Sequence, residues 1–312
     1  MSLATLVLRR LVLAIPVLLG VSIITFASLH LIPGNPAQTL LFGTDATPQQ
    51  VQALTRQLGL NRPVTVQYVH YLGQLLHGNL GQSYINQVPV ASEIAQRLPS
   101  TIELAFAALV VALMIGVPAG VLAGTRPGTW LDRVATSGAV LGVAIPYFWL
   151  ALLLVLIFSV DLGLVPSLGV GGFESLILPA IALGWGFAAM IARLLRAGLV
   201  DVYPQPYVVA ARARGLSEPR ILATTVLRNA SGPMVAALGL QIGQLLAGAV
   251  AIEVIFGRTG MGSLLYNAIS GKDIPTVQGG VLFLAVVYVA LNLIVDVLKA
   301  IIDPRTRRVG TS

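Results

Sequence analysis

Residues 207–227 read Tyr207-Val208-Val209-Ala210-Ala211-Arg212-Ala213-Arg214-Gly215-Leu216-Ser217-Glu218-Pro219-Arg220-Ile221-Leu222-Ala223-Thr224-Thr225-Val226-Leu227, and Arg228 follows. This basic, partly polar stretch lies between long apolar runs. Ala210 to Arg214 are strong helix formers. Gly215 permits a turn, and Ser217-Glu218-Pro219 can open a second helix, with Ser217 as cap and Pro219 near the first position. Helix, glycine turn and helix make a compact knob. A loop that merely fixed topology would need two or three arginines, not a patterned element. In a membrane-embedded chain such a knob implies that something docks on it.

Composition places the chain in a membrane. Of 312 residues, 56% are hydrophobic and 10% charged. Soluble domains carry about 25% charged residues, so a water-soluble reading is close to excluded. The net charge of +7 raises the thought of nucleic acid. The positive residues collect in particular loops between apolar runs, however, which is the pattern of a chain oriented in a bilayer. There is no cysteine, hence no disulfide framework or thiolate metal site.

A spanning helix needs about 20 mainly apolar residues. Six stretches qualify: 11–29, 102–124, 134–160, 176–195, 235–256 and 281–302. The first follows Arg9-Arg10 but is longer than a signal-peptide core of roughly 7–15 residues, and reads as a retained anchor. With the N-terminus placed in the cytoplasm, the cytoplasmic side holds Arg9, Arg10, Arg126, Arg133, Arg193, Arg196, Arg212, Arg214, Arg220, Arg228, Lys299, Arg305, Arg307 and Arg308. The outer side holds Arg56, Arg62, Arg97, Arg258 and Lys272. That bias predicts six spans with both termini inside.

The expected fold is therefore all-α and integral to the membrane. An anchor helix (1–30) precedes an external helical insertion (31–100). A five-helix core (101–312) then includes a cytoplasmic docking loop (197–232). Within the insertion, Thr47-Pro48-Gln49-Gln50 predicts a helix start, Gly59 its end, and 65–77 a second helix. Ser100-Thr101-Ile102-Glu103 reads as a capping box opening the second span. Pro118 and Pro146 fall inside spans and predict kinks.

Candidate path residues are few. Gln241 and Gln244 put two amides one turn apart, suited either to a path or to interhelical hydrogen bonds. Glu253 fits an outer gate or packing against Arg258. Asp296 and Lys299, three apart, are spaced to pair. Arg193 and Arg196 sit near a span end, where they can snorkel. His70 and His77 lie seven apart and read as solvated, with no metal site. No metalloprotease or nucleophile-elbow motif occurs. Gly271-Lys272 is followed by Asp273, so no phosphate loop exists and no cofactor is implied.

The stretch resembles the coupling loop of permease subunits of bacterial ATP-binding-cassette importers, where Glu-Ala-Ala is followed three residues later by Gly. Here Val209-Ala210-Ala211, then Arg212-Ala213-Arg214, precede Gly215. Val209 departs from the glutamate, as the peptide-importer branch does. Leu31-Ile32-Pro33-Gly34-Asn35-Pro36, Gly78-Asn79-Leu80-Gly81-Gln82-Ser83, Leu227-Arg228-Asn229-Ala230, Glu253-Val254-Ile255-Phe256 and Ile302-Asp303-Pro304-Arg305 are similar to branch motifs in order and spacing. The resemblance covers nearly the whole chain and is to the first permease of the dipeptide, oligopeptide and nickel family.

That resemblance implies a bacterial inner-membrane, non-enzymatic subunit. It would form a path for short peptides with a second homologous permease, two ATP-binding subunits and an external substrate-binding protein. Val209, Ala210, Ala211, Arg212, Arg214, Gly215, Leu216 and Glu218 would meet the motor, and nucleic acid has no part. Nickel and glutathione remain alternative cargoes. A self-contained channel or secondary carrier is the alternative class, against which no internal repeat is evident and the charges lie toward span ends.

Overall fold

The computed structural model describes residues 3–31, 37–38, 41, 47–57, 59–166 and 172–302. The motifs at 32–36 and 303–308 lie outside these residues. Among the described residues the chain is helical, with one isolated β-bridge between Gln82 and Pro89. The helices are α1 Leu3–Leu31, α2 Pro48–Gln57, α3 Val64–Leu76, α4 Val90–Thr125, α5 Trp130–Ala144, α6 Tyr147–Leu154, α7 Glu174–Val202, α8 Pro206–Ala213, α9 Glu218–Ile221, α10 Leu227–Ala230, α11 Gly232–Ile255, α12 Met261–Ser270 and α13 Ile274–Ile302. π-Helical turns extend α6 to Asp161 and join α9 to α10. Contacts divide the chain into two compact units, residues 1–99 with 260–312, and residues 100–259. The division falls within α4.

In the first unit α1 packs along α13, and Arg10 Nη2 lies 2.7 Å from Asp296 Oδ2. Asp296 thus pairs across helices; the Lys299 side chain, the partner its spacing suggested, lies outside the described residues. Phe26 stacks on Tyr71 and meets Tyr68 edge-on, which fixes α3 against α1. Aromatic pairs of this kind add about 0.5–1.5 kcal/mol beyond their buried area. The α2 start carries the expected reciprocal cap: Thr47 N–H donates to Gln50 Oε1 at 2.8 Å, and Gln50 N–H to Thr47 Oγ1 at 3.4 Å. His70 bonds Gln74 and His77 bonds the Gly73 carbonyl.

A buried polar cluster also lies in this unit. Asp273 accepts from Ser83 Oγ, Tyr84 N–H and Thr276 Oγ1, and Glu93 accepts from Asn86 Nδ2. The Gly78–Ser83 motif is thereby tied to the turn before α13. These donors satisfy a carboxylate that burial would otherwise penalise heavily.

In the second unit α7 is the central helix. Two thirds of its apolar window is buried, against 17% for α1 and 11% for α13. The exposed faces of α1 and α13 are apolar, with Ile24 70% and Ile294 53% exposed. Apolar surface of that extent needs lipid or a partner. α4 lies against α7 through a glycine stripe. A Cβ on Gly116 would meet the Ala188 carbonyl at 2.6 Å, on Gly120 the Ala192 carbonyl at 2.8 Å, and on Gly124 the Leu199 Cβ at 2.7 Å. Residues spaced by four share a helix face, so glycine there lets the backbones touch.

Four helices are long and apolar enough to span: Ala4–Ser28 of α1, α4, α7 and Ile274–Val297 of α13. The pair Trp130–Ala144 and Tyr147–Asp161 adds a fifth if taken as one broken span. The kink expected at Pro146 is a full break: the 134–160 run is two helices bent by 102°. Pro146 has no N–H for the Gly142 carbonyl. Ser100-Thr101-Ile102-Glu103 opens no helix, because α4 already begins at Val90 and runs through Pro99. Glu103 instead meets Arg258 Nη2 at 3.0 Å.

Candidate functional site

The segment after α7 is built to hold its shape. Pro206 sits in the first turn of α8, where its fixed φ suits a helix start. Val208 and Ala211, one turn apart, are buried with Leu199, Ile221 and Val226. The other face leaves Val209 and Ala210 exposed. Gly215 has φ +79°, a region costly for residues with a Cβ. Leu216 is half-buried on the same apolar cluster. Ser217 occupies the N-cap of α9, though its side chain makes no capping bond.

Arg212 closes the turn. Its Nε and Nη2 lie 2.5 and 3.1 Å from the two Glu218 oxygens, and its guanidinium is 5.7 Å from the Tyr203 ring centroid. The Arg212 bonds hold the Glu218 carboxyl below its ordinary range. Arg214 has no carboxylate partner among the described residues. The eight residues expected to dock therefore divide by task. Ala211 and Leu216 fasten the element, Arg212 and Glu218 brace it, and Val209, Ala210, Arg214 and Gly215 are exposed.

Upstream, Arg196 binds Asp132 through two bonds, 2.5 and 2.8 Å long. Asp132 also accepts from Gly128 N–H and Thr136 Oγ1. Arg196 is thus committed to α5, an assignment its position near a span end did not reveal.

The α5–α6 break opens a cavity of about 310 Å³ within the second unit. Gln241 and Gln244 of α11 line it, as do Tyr147, Trp185 and Arg193. The two glutamines thus converge with three residues that the sequence left unremarked or read only as peripheral. Glu253 is elsewhere: fully buried, it accepts from Thr101 Oγ1 at 2.6 Å. Arg258, the partner considered for Glu253, turns its Nη2 to Glu103 and Ser100. Among the described residues no cluster of His, Asp and Glu has metal-site spacing.

Residues 116–308 match the family described as the binding-protein-dependent transport system inner membrane component. Residues 3–105 match that family's N-terminal component. The chain belongs to this family. The permease is 40% identical over 301 residues to the glutathione transport system permease protein GsiC of Salmonella choleraesuis, covering 96% of this chain and 98% of the relative. It is 41% identical over 310 residues to a putative peptide transport system permease protein of Brucella abortus, covering 97% and 98%. These relatives place it among ATP-binding-cassette importer permeases of the peptide/nickel family.

Among solved structures, a methionine ABC transporter (MetNI) in an inward-facing form aligns with TM-score 0.54 at 21% identity, covering 67% of the permease and 96% of that chain. An amino acid ABC transporter aligns with TM-score 0.52 at 19% identity, covering 69% and 94%. These two likenesses concern the fold alone.

Proposed function

We propose that this permease forms, with a second homologous permease, the membrane path for short peptides delivered by an external binding protein. Two ATP-binding subunits drive it, and the permease itself catalyses nothing. It lies in the bacterial inner membrane with six spans and both termini in the cytoplasm, and residues 31–100 face outward. In this reading the α5–α6 pair and α11 supply the fifth and sixth spans.

The α8–α9 element carries the reading. A short helix pinned from below by Val208 and Ala211 and braced by Arg212 and Glu218 moves as a unit. Force applied to its exposed residues then reaches α7 through Leu199 and Ile221 instead of dissipating in a loose loop. Val209, Ala210, Arg214 and Gly215 are the contact surface for a groove on the motor subunit. Peptide cargo is supported by the names of the relatives, one a peptide and one a glutathione transport permease, glutathione itself being a peptide.

The chain has no cysteine, so a single one reports cleanly. Val209→Cys, joined to cysteines set along the docking groove of the ATP-binding subunits, is expected to cross-link, and the yield to change with bound nucleotide. No cross-link to any groove position, with the complex intact, defeats the docking assignment.

A further inference from the structure

We propose that the cavity beside the Pro146 break is a binding subsite for the free carboxylate end of a short peptide, with Arg193 as its anchor. The proposal rests on the importer reading and adds to it a recognition site within this chain.

Arg193 lies in α7 and is itself exposed, so a ligand can reach it. A cation within a spanning helix is costly unless it is paired or serves a path. Its neighbour Arg196, one turn on, is neutralised by Asp132. Arg193 has no carboxylate within ion-pair distance among the described residues, and it lines the cavity. The guanidinium fork suits a carboxylate in two-point contact.

The remaining wall is chemically matched to a peptide. Gln241 and Gln244 offer amides that can both donate and accept. The buried Trp185 indole N–H has no partner among the described residues. Beside it, Pro146 leaves the Gly142 carbonyl without its helical donor. That oxygen faces Gly186, where an added Cβ would lie 3.6 Å from it. Amide and indole donors, one positive charge and a carbonyl acceptor in one lining complement a chain that ends in a carboxylate and carries amide N–H groups. The volume is at the small end of ligand cavities, about 300–1,000 Å³, which suits a few residues.

The test uses the whole transporter, purified from membranes through a tag on this chain and held in nanodiscs without the binding protein. The probes are tritiated dialanine and its C-terminal amide. Wild type is expected to bind the free acid about tenfold more tightly than the amide. Arg193→Gln is expected to remove that preference, so that the free acid binds no more tightly than the amide, and Arg193→Lys to restore part of it. Gln241→Ala should weaken both probes alike. Equal binding of acid and amide by wild type, no binding of either, or a preference that survives Arg193→Gln overturns the proposal. So does a co-purified phospholipid that blocks dialanine in wild type and is lost in Arg193→Gln, because the anion is then a lipid headgroup. ATP-driven dialanine uptake with the binding protein restored separates the two levels. Uptake without acid preference defeats the subsite alone, whereas a complex that moves no peptide defeats the importer reading.

Discussion

Arg196 grips Asp132 at two points, Nε to Oδ1 at 2.5 Å and Nη2 to Oδ2 at 2.8 Å. The same carboxylate accepts from Gly128 N–H and Thr136 Oγ1, so it ties the α4–α5 turn to α7. Arg196→Gln removes both charged bonds and leaves the carboxylate with only its local partners. The melting temperature of the purified permease should fall by roughly 5 °C. Adding Asp132→Asn should cost less than the sum of the two single changes, because the groups act on each other. Strict additivity in that cycle would show that the pair contributes nothing.

The glycine stripe on α4 predicts a sharp contrast. Gly116→Ala places a Cβ 2.6 Å from the Ala188 carbonyl, and Gly198→Ala 2.4 Å from the Ala230 carbonyl. Backbone cannot yield as a flexible side chain can, so each change should cost about 1–3 kcal/mol. Gly20 and Gly73 have open space at the same position. There alanine should stabilise by roughly 0.5–1 kcal/mol through helix propensity. Thermal denaturation of the four variants in one detergent decides it.

Gly215 joins the two docking helices at φ +79° with nothing within 4 Å of its Cβ position. Backbone conformation, not crowding, therefore excludes other residues. Gly215→Val should cost about 1–2 kcal/mol locally and uncouple ATP hydrolysis from uptake, with membrane insertion unchanged. Gly215→Asn, which tolerates the left-handed region, should retain most coupling. Normal uptake by the valine variant would remove the docking element from the transport cycle.

How much of this was legible in the sequence follows from the kind of information each feature carries. Hydropathy is additive along the chain, so the long apolar runs are readable. The α2 cap and the Gly215 turn are local, and Thr47, Gln50 and Gly215 announce them. The Asp132–Arg196 pair is 64 residues apart in sequence, and nothing local to Arg196 names its partner. The same holds for the cavity, where Trp185 and Arg193 of α7 line one space with Gln241 and Gln244 of α11, about 50 residues on. Gly116, Gly120 and Gly124 did carry a signal in their spacing of four, although not the identity of the facing helix. Ser100–Glu103 misled because a capping pattern inside a helix looks the same as one that opens it.

The Arg212–Glu218 brace predicts a pH dependence. Arg212 lowers the Glu218 carboxyl from its ordinary value. A lowered folded-state value means that the brace is fully present above the unfolded carboxyl range, about 4.3, and is lost as pH falls through the folded value. Deuterium exchange of residues 206–221 should be alike at pH 8 and pH 6 once corrected for intrinsic rate, and should rise below about pH 4. Glu218→Gln should show the faster exchange at every pH. A rise centred near neutral pH would mean that another group controls the element.

The central claim is that this permease works only as part of a multi-subunit importer. Its most direct test is gentle purification of the tagged chain from native membranes, with every co-purifying protein identified by mass spectrometry. The account predicts a second permease of the same family together with ATP-binding subunits. Recovery of the chain alone, as a stable homo-oligomer that passes solute without ATP, would contradict it.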